Sequence, residues 1–202
     1  MASVDYIIRK ALESDRQGIA KTVAYSFEKE ISALSKDLDR IARTIENAVE
    51  PDRFYVALIG EDIVGVIAYA DCYGRAFTLS KKDFKKQLGF IRGSLGYAIL
   101  YPQLTRPHQY LPTTGVIDVV GVLSHARGKG IAKKMLKTVV ENNPQYNEFI
   151  IDTASDNHEA LKCYQKFGFS EFKRVSIKFS KRGKVFLRYP KSGMPLPDQP
   201  MK

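Results

Sequence analysis

Cysteine and histidine are scarce in this chain of 202 residues. The two cysteines, Cys72 and Cys163, lie far apart and form no C-x-x-C pair, which argues against a disulfide scaffold and fits a reducing compartment. The three histidines, His108, His125 and His158, lack the regular spacing of metal ligands. We therefore expect no metal ion in this protein.

Long hydrophobic runs are also missing. No stretch approaches the roughly 18 apolar residues that a membrane span needs, and the first residues lack the basic and apolar parts of a secretory signal. These absences predict a cytoplasmic protein with no membrane partner. The length and the 44% hydrophobic content fit one domain. We place this domain at residues 1–189 and expect the proline-containing tail at 190–202 to be disordered.

Acidic residues are outnumbered, since 22 Asp and Glu stand against 32 Lys and Arg and leave a net charge of +10. This charge favours an anionic partner such as a nucleotide, a phosphate, a nucleic acid or a membrane surface. Solvated helix faces would account for the lysines equally well. No recognition helix or aromatic platform accompanies the charge, so we expect no nucleic-acid partner.

The hydrophobic pattern alternates between strand and helix periods and predicts an α/β fold. Runs rich in β-branched and aromatic residues predict strands at 6–11, 54–59, 63–70, 116–123, 149–153, 169–178 and 184–189. Apolar residues at helical spacing predict helices at about 14–30, 35–49, 129–142 and 157–167. The order of these elements predicts one mixed sheet with helices on both faces.

Residues 71–115 stand between the third and fourth predicted strands and are longer than a simple connection requires. Ser80 followed by Asp83 resembles a capping box, so we expect one helix ending near Leu88 and a second over about 91–100. Prolines predict a loop after them, at Pro102, Pro107 and Pro112. We interpret the whole segment as a helical insertion.

The turn at residues 127–132 stands where a predicted strand becomes a predicted helix. The first backbone N–H groups of a helix have no partner inside it, and the helix dipole adds positive potential there. Gly128 and Gly130 let a ligand approach this backbone closely, while Arg127 and Lys129 add charge. Such a turn suits a diphosphate, although an ordinary glycine-containing loop would show the same residues.

Two motifs in the C-terminal half of the chain resemble those of the GNAT family of N-acetyltransferases. Arg127, Gly130 and Ala132 fill the three defined positions of its acyl-CoA motif, [QR]-x-x-G-x-[GA]. Residues 157–169 resemble its N-x-x-A-x-x-x-Y-x-x-x-G-F signature, in which Asn157 and Tyr164 take the polar and aromatic positions. The resemblance implies a mostly antiparallel central sheet flanked by helices, and acetyl-CoA as the cosubstrate.

The resemblance also implies roles for individual residues. Tyr164 would protonate the coenzyme A sulfur, although it could instead simply pack in the core. Asp118 would be the base that takes the proton of the amine, or it would only pair with a lysine. The residues implied to contact the cofactor are Val120, Val122, Arg127, Gly128, Lys129, Gly130, Ile131, Ala132, Asn157 and Tyr164.

The predicted function is transfer of an acetyl group from acetyl-CoA to a primary amine of a small molecule or a protein, by direct attack. A catalytically inactive acyl-CoA sensor is the alternative. The resemblance also makes a homodimer a possibility. We expect the insertion to select the acceptor, with Tyr97, Tyr101 and Arg92 as an aromatic wall bearing a cation, although the tyrosines could instead pack the insertion onto the domain.

Overall fold

A computed structural model describes residues 5–176 and 183–191. Seven strands form one sheet in the order β1-β2-β3-β4-β5-β7-β6. Only β4 and β5 are parallel, and every other neighbouring pair is antiparallel. The strands are β1 (Ile7–Lys10), β2 (Phe54–Ile59), β3 (Asp62–Ala70), β4 (Thr114–Val122), β5 (Glu148–Ala154), β6 (Ser170–Ser176) and β7 (Gly183–Pro190). The predicted mixed sheet is confirmed.

Helices cover both faces of this sheet, as predicted. They are α1 (Arg16–Ser26), α2 (Glu28–Ile31), α3 (Leu38–Ile45), α4 (Lys81–Leu88), α5 (Phe90–Leu104), α6 (Ile131–Asn142) and α7 (His158–Phe167). None of the helices in residues 5–176 and 183–191 is both long enough and apolar enough to cross a membrane.

Two apolar cores lie on opposite faces of the sheet, because strand side chains alternate between faces. On one face, Ile19 of α1 and Ile41 of α3 pack against Phe54 and Phe77. On the other face, Met135 of α6 packs with strand residues such as Phe149 and Leu187. The long central strands are therefore buried on both sides, which explains their nearly continuous apolar sequences.

The first predicted helix is broken. It covers α1 and α2, which are separated by Phe27 with a non-helical backbone. Asp15 does not cap α1. Its carboxylate instead accepts hydrogen bonds from Arg9 at 2.5 and 2.9 Å and from the Leu12 amide at 2.8 Å. A charged donor on the neighbouring strand β1 thus competes successfully for the side chain.

Two helices, α4 and α5, lie between β3 and β4, and Ser80 caps α4 by accepting from the Asp83 amide at 3.4 Å. The predicted loop at Pro102 is wrong, since α5 continues through it to Leu104. Proline removes one helical hydrogen bond and crowds the preceding turn. The helix ends two residues later, so only its last turn is affected.

The C-terminal strands are close to their predicted positions. Pro190 pairs with Glu148 at the end of β7, and the Lys191 amide donates to the Asn147 carbonyl at 2.9 Å. The last two residues of the strand predicted at 169–178 lie outside the described residues. The same holds for residues 192–202 of the predicted tail.

Candidate active site

The two parallel strands β4 and β5 separate from each other along their length. They pair only where Thr114, Gly115, Val116 and Ile117 face the segment from Glu148 to Ile151. Beyond this point β4 continues to Val122 and β5 to Ala154 with no pairing between them. The sheet therefore has a V-shaped opening at its centre, where backbone groups of β4 face open space instead of a neighbouring strand.

The register of β4 against β3 decides which backbone groups face this opening. Leu123 donates to the Val64 carbonyl at 2.9 Å, and Val122 stands opposite Gly65. In an antiparallel pair, hydrogen-bonded and non-bonded residues alternate. The N–H and C=O groups of Val120 and Val122 therefore point away from β3 and towards the opening, as the implied cofactor role requires.

The glycine-containing turn is exposed and is separated from β4 by Leu123 and one short 3-10 helix, Ser124–Ala126. Gly128 and Gly130 have φ of +75° and +79°, and Gly130 takes the left-handed conformation just before α6. The helix begins at Ile131, two residues later than predicted, because these glycines turn the chain first. No side chain caps this end of the helix. The amides of its first turn therefore remain available to an anion.

Arg127 does not point freely into solvent from this turn. Its Nε donates to the Val122 carbonyl at 3.0 Å, which ties the turn to the end of β4. The guanidinium therefore lies beside the backbone at the end of β4. Its positive charge adds to that of the helix end.

Asn157 and Tyr164 belong to α7. The Asn157 side chain caps the helix by accepting from the Ala160 amide at 3.1 Å, so its side-chain NH₂ group is what remains for a ligand. Tyr164 is 7% exposed, and its hydroxyl makes no hydrogen bond to any described residue. Burial raises the pKa of the Tyr164 phenol. The hydroxyl is therefore protonated at neutral pH and can act as a donor.

Two adjoining cavities meet at the opening in the sheet. One, of about 990 Å³, contains Asp118, Val120, Asn157 and Tyr164 in its wall. The other, of about 1130 Å³, includes Arg127 and shares Asn157 with the first. The structure thus brings five of the predicted site residues into the walls of these two neighbouring cavities, which together we call the cleft. The other predicted residues belong to neither wall and lie beside the cleft, at the end of β4 and the start of α6. They are Val122, Gly128, Lys129, Gly130, Ile131 and Ala132.

Asp118 occupies a different environment from the one its predicted role requires. It is the unpaired residue of a β-bulge, since Val119 stands opposite Ala68 and Ile117 opposite Tyr69. Its carboxylate accepts two hydrogen bonds of 2.8 Å from Arg75 and contacts His108 Nε2 at 3.1 Å. The partners of Asp118 are thus an arginine and a histidine, and not the lysine that the sequence left open.

Burial by itself would raise the pKa of Asp118, but the hydrogen bonds from His108 and Arg75 outweigh it and hold the pKa below its ordinary value. A carboxylate with a lowered pKa has little affinity for a proton. Asp118 is therefore poorly suited to be the base that the sequence predicts.

The connection between β3 and β4 contributes other residues than those predicted. Tyr97 packs against Phe84 of α4 and Tyr101, with ring centroids 6.0 and 5.1 Å away. Neither tyrosine nor Arg92 belongs to the wall of either of these two cavities. The wall includes instead the end of α5 and the following loop, and His108 and Tyr110 are among its residues. No sequence spacing indicates these two residues, because the fold alone brings the loop to the sheet.

Comparison with known proteins identifies the family. The chain belongs to the acetyltransferase (GNAT) family, whose model matches residues 21–169. N-alpha-acetyltransferase 30 of Saccharomyces cerevisiae is 30% identical over 82 residues, which cover 40% of this chain and 47% of the yeast protein. The match therefore spans about half the length of that relative.

Solved structures share the fold. An N-acetyltransferase from Staphylococcus aureus Mu50 aligns with a TM-score of 0.61 at 22% identity, over 91% of this chain and 100% of the other. The yncA protein of Salmonella typhimurium, solved with acetyl-CoA as its cofactor, gives a TM-score of 0.60 at 14% identity, over 96% and 98% of the two chains. At these identities the likeness concerns the fold.

Proposed function

We propose that this chain transfers the acetyl group of acetyl-CoA to a primary amine by direct attack of the amine on the thioester. One observation carries the proposal: an uncapped helix start lies beside the cleft, and an unpaired strand backbone and a buried tyrosine hydroxyl with no hydrogen bond to any described residue line it. Acetyl-CoA has a part for each feature: its anionic head would match the helix start, its amide-containing arm the strand backbone, and its thioester the tyrosine hydroxyl. Membership of the GNAT family supports this assignment.

The diphosphate of the cofactor would bind the first amides of α6, with Arg127 and Lys129 adding charge. Gly128 and Gly130 would keep Cβ atoms out of its way, since a Cβ at either position faces space that is open or nearly so. The pantetheine arm would hydrogen-bond the backbone of Val120 in the manner of an added strand, since the Val122 carbonyl already accepts from Arg127. The free NH₂ of Asn157 would contact the same arm.

The reacting thioester would lie near Tyr164. A backbone N–H of β4, by position that of Val122, would stabilise negative charge on the carbonyl oxygen as the amine attacks. The Tyr164 hydroxyl would then donate to the sulfur as the C–S bond breaks. These residue roles are part of the proposal.

The acceptor would enter from the opposite side of the cleft, where α1, α2 and α3 contribute apolar residues to the wall and the loop after α5 contributes polar ones. The name of the yeast relative is that of an N-alpha-acetyltransferase, so peptides with a free α-amino group are the first acceptors to test. Small amines follow. A cytoplasmic location, a homodimer and the absence of a metal stay predictions of the sequence.

The test is release of free thiol from acetyl-CoA with a panel of peptides and small amines. Wild-type protein should turn over at least one acceptor, and Tyr164→Phe should lose most turnover while calorimetry finds acetyl-CoA binding unchanged. Binding with no turnover on the whole panel would favour the acyl-CoA sensor. Absence of any affinity for coenzyme A would refute the proposal.

A further inference from the structure

Arg75, Asp118 and His108 form a hydrogen-bonded chain at the opening in the sheet. The side chains of Arg75 and Asp118 are 6% and 3% exposed, whereas that of His108 is 19% exposed. Arg75 also donates to the backbone carbonyls of Gln103 and Arg106. It therefore fastens both the carboxylate and the loop that includes His108, so that the imidazole has a defined place.

The contact with Asp118 determines which nitrogen of His108 can accept a proton. The ionised carboxylate is only an acceptor, so the nitrogen 3.1 Å from it, Nε2, must bear the hydrogen. In a neutral imidazole the lone pair then belongs to Nδ1. No hydrogen bond within residues 5–176 and 183–191 engages Nδ1. A carboxylate that fixes the tautomer in this way is a recurrent feature of histidine bases.

His108 belongs to the wall of the same cavity as Tyr164. Its ring contacts that of Tyr110 at a tilt of 34°, with 5.8 Å between centroids. Besides Asp118 and Arg75, the charged or titratable groups in this wall come from α2, the loop after α5, and the strands and helix across the opening; they are Glu30, Arg106, Tyr110, Asp152, Tyr164, Lys173 and Lys184. Among the groups at the opening, His108 combines an available lone pair with a fixed orientation.

We propose that His108, oriented by Asp118, is the base that takes the proton of the acceptor amine. The inference rests on the proposed acetyl transfer and adds to it. As the amine nitrogen forms its bond to the thioester carbon, one N–H proton passes to Nδ1 of His108. The C–S bond then breaks, and the thiolate receives a proton from the Tyr164 hydroxyl. Solvent takes the proton of His108 and restores that of Tyr164, leaving an amide and free coenzyme A.

His108→Gln is the central variant, because glutamine can still donate to Asp118 but cannot act as a base. We expect kcat to fall by about 10²- to 10⁴-fold, with the Kd for acetyl-CoA unchanged. Leu111→Ala changes the same loop at an exposed residue outside both cavity walls. This control should keep kcat near the wild-type value.

Two further measurements separate a base from a purely structural histidine. The rise of kcat with pH should be lost or displaced in His108→Gln. The ammonium group of the acceptor titrates in the same way in assays of the wild type and of His108→Gln. A difference between the two pH profiles is therefore caused by His108. Added imidazole should restore part of the turnover of His108→Ala.

The outcomes also separate this inference from the proposed function. If the wild-type protein turns over an acceptor and His108→Gln matches it, the base role alone is wrong. An unchanged pH profile with no imidazole rescue would likewise assign His108 to loop structure. A wild-type protein without turnover would instead overturn the proposed transfer itself.

Discussion

Alanine at Gly128 or Gly130 would test the anion site at the start of α6 without removing any charge. Both glycines have positive φ. A Cβ at Gly128 would meet no atom within 4 Å, and a Cβ at Gly130 would approach only the Tyr6 hydroxyl, at 4.0 Å. The added methyl group therefore fits, and the stability cost comes from the left-handed backbone.

That backbone costs an L-residue about 1–2 kcal/mol. In a chain of this size, the cost corresponds to a fall in Tm of roughly 2–8 °C. Gly60 offers a matched control, since its φ is +60° and an added Cβ would also meet nothing within 4 Å. It lies in the turn between β2 and β3 and in neither cavity wall. Gly60→Ala should therefore lose similar stability.

Affinity for coenzyme A should distinguish Gly128→Ala and Gly130→Ala from the control Gly60→Ala. A methyl group at Gly128 or Gly130 would extend into the space where we place the diphosphate and separate it from the amides. Loss of one charge-assisted hydrogen bond costs about 1.5–3 kcal/mol, which is roughly a 10- to 150-fold rise in Kd. Calorimetry would measure Kd, and urea unfolding would measure stability. Equal Kd values for all three variants would refute the diphosphate site.

Two further predictions concern the buried ion pair. Arg75→Met leaves the Asp118 carboxylate buried without its main partner and should lower the free energy of unfolding by about 3–5 kcal/mol. The control Lys137→Met removes an exposed ion pair and should change the free energy of unfolding little. Similar urea midpoints for the two variants would contradict the prediction. Because the pKa of Asp118 is lowered in the folded state, its stabilisation is complete above the unfolded value of about 3.9 and is lost as pH falls through the folded value. The urea midpoint should therefore fall less steeply below about pH 4 in Asp118→Asn than in the wild type.

Local features of the site could be predicted from the sequence because they depend on neighbouring residues. The left-handed turn at Gly128 and Gly130 and the cap of α7 by Asn157 both arise within a few residues of chain. Positions such as Met135 follow from helical periodicity, which specifies the buried side of α6. The two motifs that resemble the GNAT family lie in this same local part of the chain.

The environment of Asp118 could not be predicted in this way. Its strand position is evident from the sequence, but the bulge that redirects it depends on the register against β3. Its partner Arg75 is 43 residues away, in a connection without a regular pattern. The carboxylate predicted as a base is consequently an ion-pair partner, and the histidine beside it had no visible signal.

The sequence by itself determined the strands, the helices α6 and α7, the two-sided burial of the sheet and the glycine turn, because these follow from periodicity and backbone preferences over short distances. Only the tertiary structure decided where β4 and β5 separate, which loop approaches that opening, and which nitrogen of His108 is available. Those features depend on strand register and on contacts between distant segments. Such contacts form only when the whole chain has packed.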